Sequence, residues 1–213
     1  MRSGGTPHVN GRVRISPRRP HPEKLTNRIL DGAFFDRSPE IVARELLGKY
    51  LVRRNGQKIV AMPITETEAY GGEDDRASHA RHGKTARNAP MFAAPGTLYV
   101  YFTYGMHWMA NIVCGKEGIP SAVLIRGAGD VSGPARLTKF FAVGKALNGK
   151  PLGVETGLWV EDRGDAPENI RRTPRVGVDY AGAWAKKPWR FVCEAGHTRE
   201  NDLAIRKRQR HGD

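Results

Sequence analysis

Cysteine is scarce: the 213-residue chain has two, Cys114 and Cys193, far apart and without CxxC spacing. That excludes a disulfide framework and a zinc knuckle, and a reducing compartment fits best. Acids are also few, since 22 Asp and Glu stand against 35 Lys and Arg, leaving a net charge of +13. No GxxxxGK[ST] loop, GxGxxG turn or HExxH helix is present. Nucleotide hydrolysis, dinucleotide chemistry and zinc proteolysis therefore lack motif support, and no signature of a nucleophilic Ser or Cys appears. Internal repeats are absent.

Long apolar runs are missing too. Asn88 through Gly115 carries no formal charge, a length that suggests a membrane span. Pro90, Pro95, Gly96, Gly105, His107 and Asn111 interrupt it, and Thr97 to Tyr104 is β-rich, so two buried strands are expected instead. No apolar run follows the N-terminal arginines, and Pro7, Pro17, Pro20 and Pro22 would break a targeting helix. No signal peptide is expected, an arginine-rich organellar leader being the alternative reading.

What the chain has in excess is positive charge, unevenly placed. Six of the 13 net charges fall in residues 1–28, three in residues 206–213 and four in the rest. Basic ends of this kind steer a protein onto a polyanion through the long-range field. They suggest a nucleic-acid partner and identify no chemistry. With 39% hydrophobic residues the length suits one core. The organisation expected is a disordered basic arm over residues 1–27, one domain over 28–205 and a basic tail over 206–213.

Within the domain, Ser38-Pro39-Glu40 predicts a helix start, with Ile41, Val42, Leu46 and Leu47 forming its apolar side and Gly48 ending it. Asn55-Gly56 predicts a tight hairpin turn between strands, the second continuing through Ile64 to Tyr70. Gly71 to Pro95 has no clear period, and so long a loop is a candidate for function. A strand pair over Thr97 to Val113 turning near Gly105, a strand Ala122 to Ile125, a helix within Gly133 to Leu147, and strands at Leu158 to Glu161 and Trp189 to Cys193 complete the reading.

Several residues have the means for chemistry. The two-residue period of a strand puts Glu66, Glu68 and Tyr70 on one face, successive members about 6.6 Å apart. In a pocket, burial and like-charge repulsion would raise one carboxylate's pKa and leave a base for water. On a solvated strand face the same residues would do nothing special. Tyr99 and Tyr101 share a second strand face, suited either to base stacking or to core packing, and Tyr104 sits at the expected hairpin tip. His79 and His82, near Asp74 and Asp75, have weak spacing for a metal. Arg126 suits an anion or a surface acid.

Three ordered segments together resemble the alkyladenine (3-methyladenine) DNA glycosylase family. They are Thr65-Glu66-Thr67-Glu68-Ala69-Tyr70, then Ser78-His79 with Thr85-Ala86-Arg87-Asn88 and Met91-Phe92, then Pro95-Gly96-Thr97-Leu98-Tyr99-Val100-Tyr101 with Tyr104-Gly105-Met106. Phe34-Phe35 and Leu46-Leu47-Gly48 precede them; Asn111-Ile112, Val123-Leu124-Ile125-Arg126, Gly133-Pro134 and Pro174-Arg175-Val176-Gly177-Val178 follow. The similarity spans roughly Ile29 to Val192, and Ala195-Gly196-His197-Thr198 departs from it.

The resemblance implies a single-domain α/β (α+β) fold around a curved, mostly antiparallel sheet, without a helix-hairpin-helix module. It implies a monomeric, monofunctional hydrolase that flips alkylated or deaminated purines out of double-stranded DNA and cuts the N-glycosidic bond with water, starting base excision repair. The 3-methyladenine, 7-methylguanine, hypoxanthine and ethenoadenine class would be its substrates. On this reading Glu68 deprotonates the water and Arg126 helps hold it. The base lies between Tyr70 and His79 on one side and Tyr101 on the other. Asn111 crowds the amino group of guanine, and Tyr104 fills the gap in the duplex.

No metal, cofactor, Schiff-base lysine or strand cleavage is implied, nor any membrane. The location would be the cytoplasm or nucleoid in a bacterium and the nucleus in a eukaryote. The alternative is a noncatalytic basic protein that binds nucleic acid through its ends, with steep salt dependence and no lesion preference. RNA base recognition through the tyrosines is a third reading.

Overall fold

A computed structural model describes Met1, residues 28–167 and residues 169–193. The expected arm over 1–27, apart from Met1, the tail over 206–213 and the Ala195 to Thr198 segment lie outside the described residues.

In chain order the elements are β1 (Arg28–Ile29), α1 (Gly32–Phe35), α2 (Pro39–Glu45), β2 (Tyr50–Asn55), β3 (Lys58–Gly71), β4 (Leu98–Thr103), β5 (His107–Val113), β6 (Ser121–Ala128), β7 (Val131–Ser132), α3 (Pro134–Phe140), β8 (Leu158–Asp162), β9 (Arg171–Thr173) and β10 (Arg190–Val192). The strands form one open, curved sheet in the order β1-β8-β2-β3-β6-β5-β4, with β10 paired to β3 and β9, and β7 to β6. Every pairing is antiparallel. The fold is therefore the α/β (α+β) architecture with a mostly antiparallel sheet. The uncharged Asn88 to Gly115 stretch holds β4 and β5, and no helix among the described residues is long and apolar enough to cross a membrane.

The expected helix after Ser38 is α2. Ser38 makes no side-chain capping bond, so the start rests on Pro39 at the first helical position, whose φ is already helical and whose missing N–H is not needed there. Its apolar side, Val42, Ala43, Leu46 and Leu47, is buried beneath β3 and β6. The Thr67 hydroxyl ties β3 to the helix by donating to the Ala43 carbonyl at 2.7 Å. Leu137 and Phe141, from α3 and its end, join the same core. Burying each such side chain stabilises the fold by about 1.5–3 kcal/mol.

Alternation along four adjacent strands then divides the sheet. Thr67, Ala69, Val123, Ile125, Ile112, Leu98 and Val100 are buried on the helix side. The intervening residues, Glu68, Tyr70, Ala122, Leu124, Arg126, Met109, Asn111 and Tyr101, line a cavity on the opposite side. A strand's period of two is enough to produce this division. The strand expected at Ala122 to Ile125 is longer, running from Ser121 to Ala128, so Arg126 lies within it rather than at its end.

The Gly71 to Pro95 loop is ordered by two buried polar side chains. Asp75 accepts from the N–H groups of Gly71 and Ala77 at 3.2 and 3.0 Å. Asn88 donates to the carbonyls of His79 and Gly83, each at 2.9 Å. Burial of unbonded loop backbone is costly, and these two residues remove that cost.

Candidate active site

Cross-strand register sets the width of the site. Glu68 lies opposite Leu124, Leu124 opposite Asn111 and Asn111 opposite Tyr99. With strands about 4.8 Å apart, Glu68 and Asn111 stand about 9–10 Å from each other across the sheet. Between and above them is a cavity of about 500 Å³, and Glu68, Tyr70, His79, Tyr101, Tyr104, Asn111 and Arg126 all line it.

Glu68 is fully buried, which removes the solvated-face reading. Its Oε1 accepts the Val176 N–H at 2.8 Å, and its Oε2 accepts the Tyr70 hydroxyl at 2.9 Å and Arg126 Nη1 at 3.4 Å. Burial is the largest influence on this carboxyl and pushes its pKa up. The Arg126 charge and the bonds from Val176 and Tyr70 pull it down without overcoming burial. A carboxylate held this way is oriented, desolvated and a stronger base than one in water.

Glu66 is also buried. Burial pushes its pKa up, but bonds from Arg126 and Arg190 outweigh this and hold it below the ordinary value. Its Oε1 receives the Nε of both arginines at 2.6 Å. Arg126 therefore bridges the two carboxylates, which answers the surface-pair alternative for that residue.

The aromatic rings are grouped differently from the sequence expectation. His79 meets Tyr101 edge to face with centroids 4.5 Å apart, and Tyr99 lies 5.2 Å from Tyr101. A base cannot fit between rings so close, so His79 and Tyr101 form one wall rather than opposing jaws. His79 Nδ1 is 2.9 Å from the Tyr99 hydroxyl. Desolvation, with Arg87 and Arg81 nearby, lowers the His79 pKa to about 4, so the imidazole is neutral near pH 7. Burial raises the Tyr99 hydroxyl to about 12 and raises those of Tyr101 and Tyr70 as well.

Asn111 is buried, and its amide donates to the Tyr99 carbonyl at 3.0 Å. Tyr104 is 80% exposed at the tip of the β4–β5 hairpin. The turn is closed by the Met106 N–H on the Thr103 carbonyl at 3.2 Å, and both central residues have positive φ, 52° at Tyr104 and 65° at Gly105. Gly105 suits this geometry, whereas Tyr104 adopts it under strain.

Sequence reasoning did not single out the groups that support Glu68 from behind. Asp75 and Arg175 form a fully buried ion pair, with contacts of 2.6 and 2.9 Å. The Arg175 guanidinium sits 4.7 Å from the Tyr70 ring centroid. This pair joins the Gly71 to Pro95 loop to the segment whose Val176 N–H reaches Glu68. Pro174-Arg175-Val176-Gly177-Val178 was visible only as a matching stretch, without a role. Tyr180, 62% exposed, and Arg87 complete the rim.

His79 and His82 do not converge, since His82 Nε2 accepts from Arg81 Nε at 2.9 Å. Among the described residues no three His, Cys, Asp or Glu side chains group as metal ligands.

The family model described as methylpurine-DNA glycosylase matches residues 33–132 and 127–197. A relative from Methanocella arvoryzae, provisionally named 3-methyladenine DNA glycosylase, is 44% identical over 183 residues, covering 76% of this chain and 91% of its own. One from Anaeromyxobacter dehalogenans with the same provisional name is 48% identical over 171 residues, 76% of this chain and 81% of its own. A third, from Chlorobaculum parvum, is 39% identical over 202 residues, 84% of this chain and 95% of its own.

Proposed function

Because the chain belongs to the methylpurine-DNA glycosylase family, we propose that it flips damaged purines out of double-stranded DNA into this cavity and hydrolyses their N-glycosidic bond. The observation that carries the reading is the buried Glu68 at the wall of an aromatic cavity, its carboxylate oriented by Val176, Tyr70 and Arg126.

Glu68 takes a proton from a water as the water oxygen bonds to the sugar C1′. The C1′–N bond breaks and its electron pair leaves with the base. For a cationic N-methylated purine that pair neutralises the departing base, which makes such lesions good leaving groups; a neutral purine such as hypoxanthine leaves as the anion and takes a proton from water. Developing positive charge on the sugar is stabilised by the same carboxylate, and Arg126 orients the water. The products are a free purine and an abasic site. Release is by water, without a lysine Schiff base and without strand cleavage.

Base recognition follows the two walls. The purine stacks between Tyr70 on one side and the His79–Tyr101 wall on the other. Asn111 crowds the amino group of guanine, Tyr104 enters the duplex as a wedge, and unstacking costs least where the lesion pairs poorly. The substrates are 3-methyladenine, 7-methylguanine, hypoxanthine and ethenoadenine. The protein acts as a monomer, and the basic stretches at 1–27 and 206–213 add nonspecific attraction to a core that supplies specificity.

The test is a labelled duplex with one hypoxanthine or ethenoadenine, incubated with wild type or Glu68→Gln and then treated with hot alkali. Alkali-dependent cleavage by wild type alone, with lesion binding retained in Glu68→Gln, is the expected result. Cleavage by neither, with 3-methyladenine release also absent, overturns the reading in favour of a basic binding protein. Removing residues 1–27 and 206–213 should leave lesion preference intact and flatten the salt dependence.

A further inference from the structure

The charges around Glu68 are more numerous than a general base and a water-holding arginine require. Two carboxylates, Glu66 and Glu68, and two guanidinium groups, Arg126 and Arg190, form one connected cluster. Arg126 does not divide itself evenly. Its Nε is 2.6 Å from Glu66, whereas its Nη1 is 3.4 Å from Glu68. The carboxylate with the stronger claim on Arg126 is thus the one that does not line the cavity.

Glu66 is fixed from the far side. Arg190 also places its Nε 2.6 Å from Glu66 Oε1, and its Nη1 donates to Thr173 Oγ1 at 3.3 Å. Arg190 starts β10, which pairs with both β3 and β9. The backbone is shaped to the same end: the β3–β6 register shifts on both sides of Glu66. Opposite it is Gly127, where a Cβ would meet Thr65 Oγ1 at 2.9 Å and Glu66 Cβ at 3.3 Å. A bulge that needs glycine in the facing strand, and that re-aims one side chain, is a designed feature of a sheet.

We propose that Glu66, anchored by Arg190, is a positioning residue that holds Arg126 back from Glu68, leaving guanidinium donors free for the attacking water and preserving Glu68 as a base. A full ion pair between Arg126 and Glu68 would occupy those donors and weaken the base. The inference rests on the glycosylase reading above and assigns to the Glu66 cluster the control of the reactive pair.

The charged and titratable groups around the pair are Glu66 and Tyr70 on β3, Arg126 on β6, Arg190 on β10, Tyr101 on β4 and Arg175 on the segment before Val176. Glu66→Gln removes the neighbouring negative charge and frees Arg126 to close on Glu68. Both changes move the acid-side midpoint of the rate profile to lower pH. Arg190→Met instead leaves two carboxylates sharing one guanidinium, which moves the midpoint to higher pH.

The experiment measures single-turnover base release from a hypoxanthine duplex across the acid range, for wild type, Glu66→Gln, Arg190→Met, Arg126→Met and the Glu66→Gln/Arg126→Met double variant. Glu66→Gln should slow release by about tenfold or more. In the double variant it should add less than about twofold to the loss from Arg126→Met, because the two act through one group. The two midpoint shifts should have opposite signs, and Arg190→Met carries that test should Glu66→Gln fail to fold. An active wild type whose variants keep its rate and pH profile and lose only stability overturns the inference in favour of a simple brace between strands. Effects of Glu66→Gln and Arg126→Met that multiply overturn it equally. A wild type that releases no base from any lesion overturns the glycosylase reading itself, a result distinguishable from both.

Discussion

His79 meets the ring of Tyr101 edge to face, with centroids 4.5 Å apart, while its Nδ1 lies 2.9 Å from the hydroxyl of Tyr99. The contact joins the Gly71 to Pro95 loop to β4, so two segments distant in sequence make a single wall. Two ring faces that enclose a base need roughly 7 Å between them, twice the contact distance of carbon atoms. On the proposed reading the enclosing partner is Tyr70, which lines the same cavity and whose hydroxyl also holds Glu68.

If this wall stacks the flipped purine, removing its central ring should cost the stacking energy and little else. In a Glu68→Gln background, where the base is retained, Tyr101→Ala should raise the Kd for a lesion duplex by about 5- to 150-fold, corresponding to 1–3 kcal/mol per stacked base. Affinity for the undamaged duplex should stay within about twofold of the parent. Equal losses for both duplexes would show that Tyr101 supports the fold rather than the base.

The lowered pKa of His79 makes acid an opponent of stability at this wall. Its folded value is about 4 against an ordinary 6.5, so the folded state binds the proton less tightly than the unfolded chain. The associated stability is fully present above the unfolded value and is lost as pH falls through the window from 6.5 towards 4. The thermal midpoint of wild type should fall across that window, and that of His79→Gln should fall less. Superimposable curves would assign the acid sensitivity in this window to other groups; Glu66, whose depressed pKa acts in the same direction, loses its contribution only below its ordinary value of 4.5.

Asp75 and Arg175 supply a test of the support behind Glu68. Asp75 serves the Gly71 and Ala77 N–H groups with different oxygens, so Asp75→Asn keeps an acceptor for only one of them and leaves Arg175 charged, fully buried and without its carboxylate. Breaking a buried pair from one side costs about 3–5 kcal/mol, read as a lower urea midpoint at unchanged m-value. The double variant Asp75→Asn/Arg175→Met should recover much of that stability. Base release should nonetheless remain slow in both, because the segment carrying the Val176 N–H to Glu68 has lost its anchor.

Much of this arrangement follows from local pattern. The alternation of Glu66, Glu68 and Tyr70 placed them on one face, Asn55-Gly56 marked the first hairpin, and Tyr104-Gly105 marked the second. Pattern alone did not decide whether the Glu68 face was wet or buried. That depended on β10 and the Val176 segment, which reach it from more than 100 residues away. Asp75 and Arg175 are likewise 100 residues apart, and neither has a local signature, because an aspartate in a loop and an arginine after a proline are ordinary surface residues until the chain folds. Ser38 does stand at the helix N-cap, as its type suggests, but makes no side-chain capping bond, and Pro39 occupies the first helical position. The grouping of Tyr70 with His79 came from the resemblance; spacing says which face a ring is on and not which ring it touches, and in the fold His79 touches Tyr101.

Tyr104 offers the sharpest separation of stability from function. Its φ of 52° lies in the left-handed region, which costs a residue with a bulky side chain about 1–2 kcal/mol, and its side chain is 80% exposed. Among the described residues no side-chain hydrogen bond or ring contact holds Tyr104, and on the proposed reading the compensation lies in the bound complex, where the ring would replace a flipped nucleotide. Asparagine tolerates this backbone conformation and lacks the ring. Tyr104→Asn should therefore leave the unfolding free energy unchanged or raise it by up to about 1 kcal/mol, while slowing base release from duplex DNA. A lesion in a single strand, which has no stack for a wedge to fill, should be processed by Tyr104→Asn and wild type at similar rates. Loss of stability in the variant would mean that the ring packs against the protein, and unchanged release from duplex would remove the wedge from the mechanism.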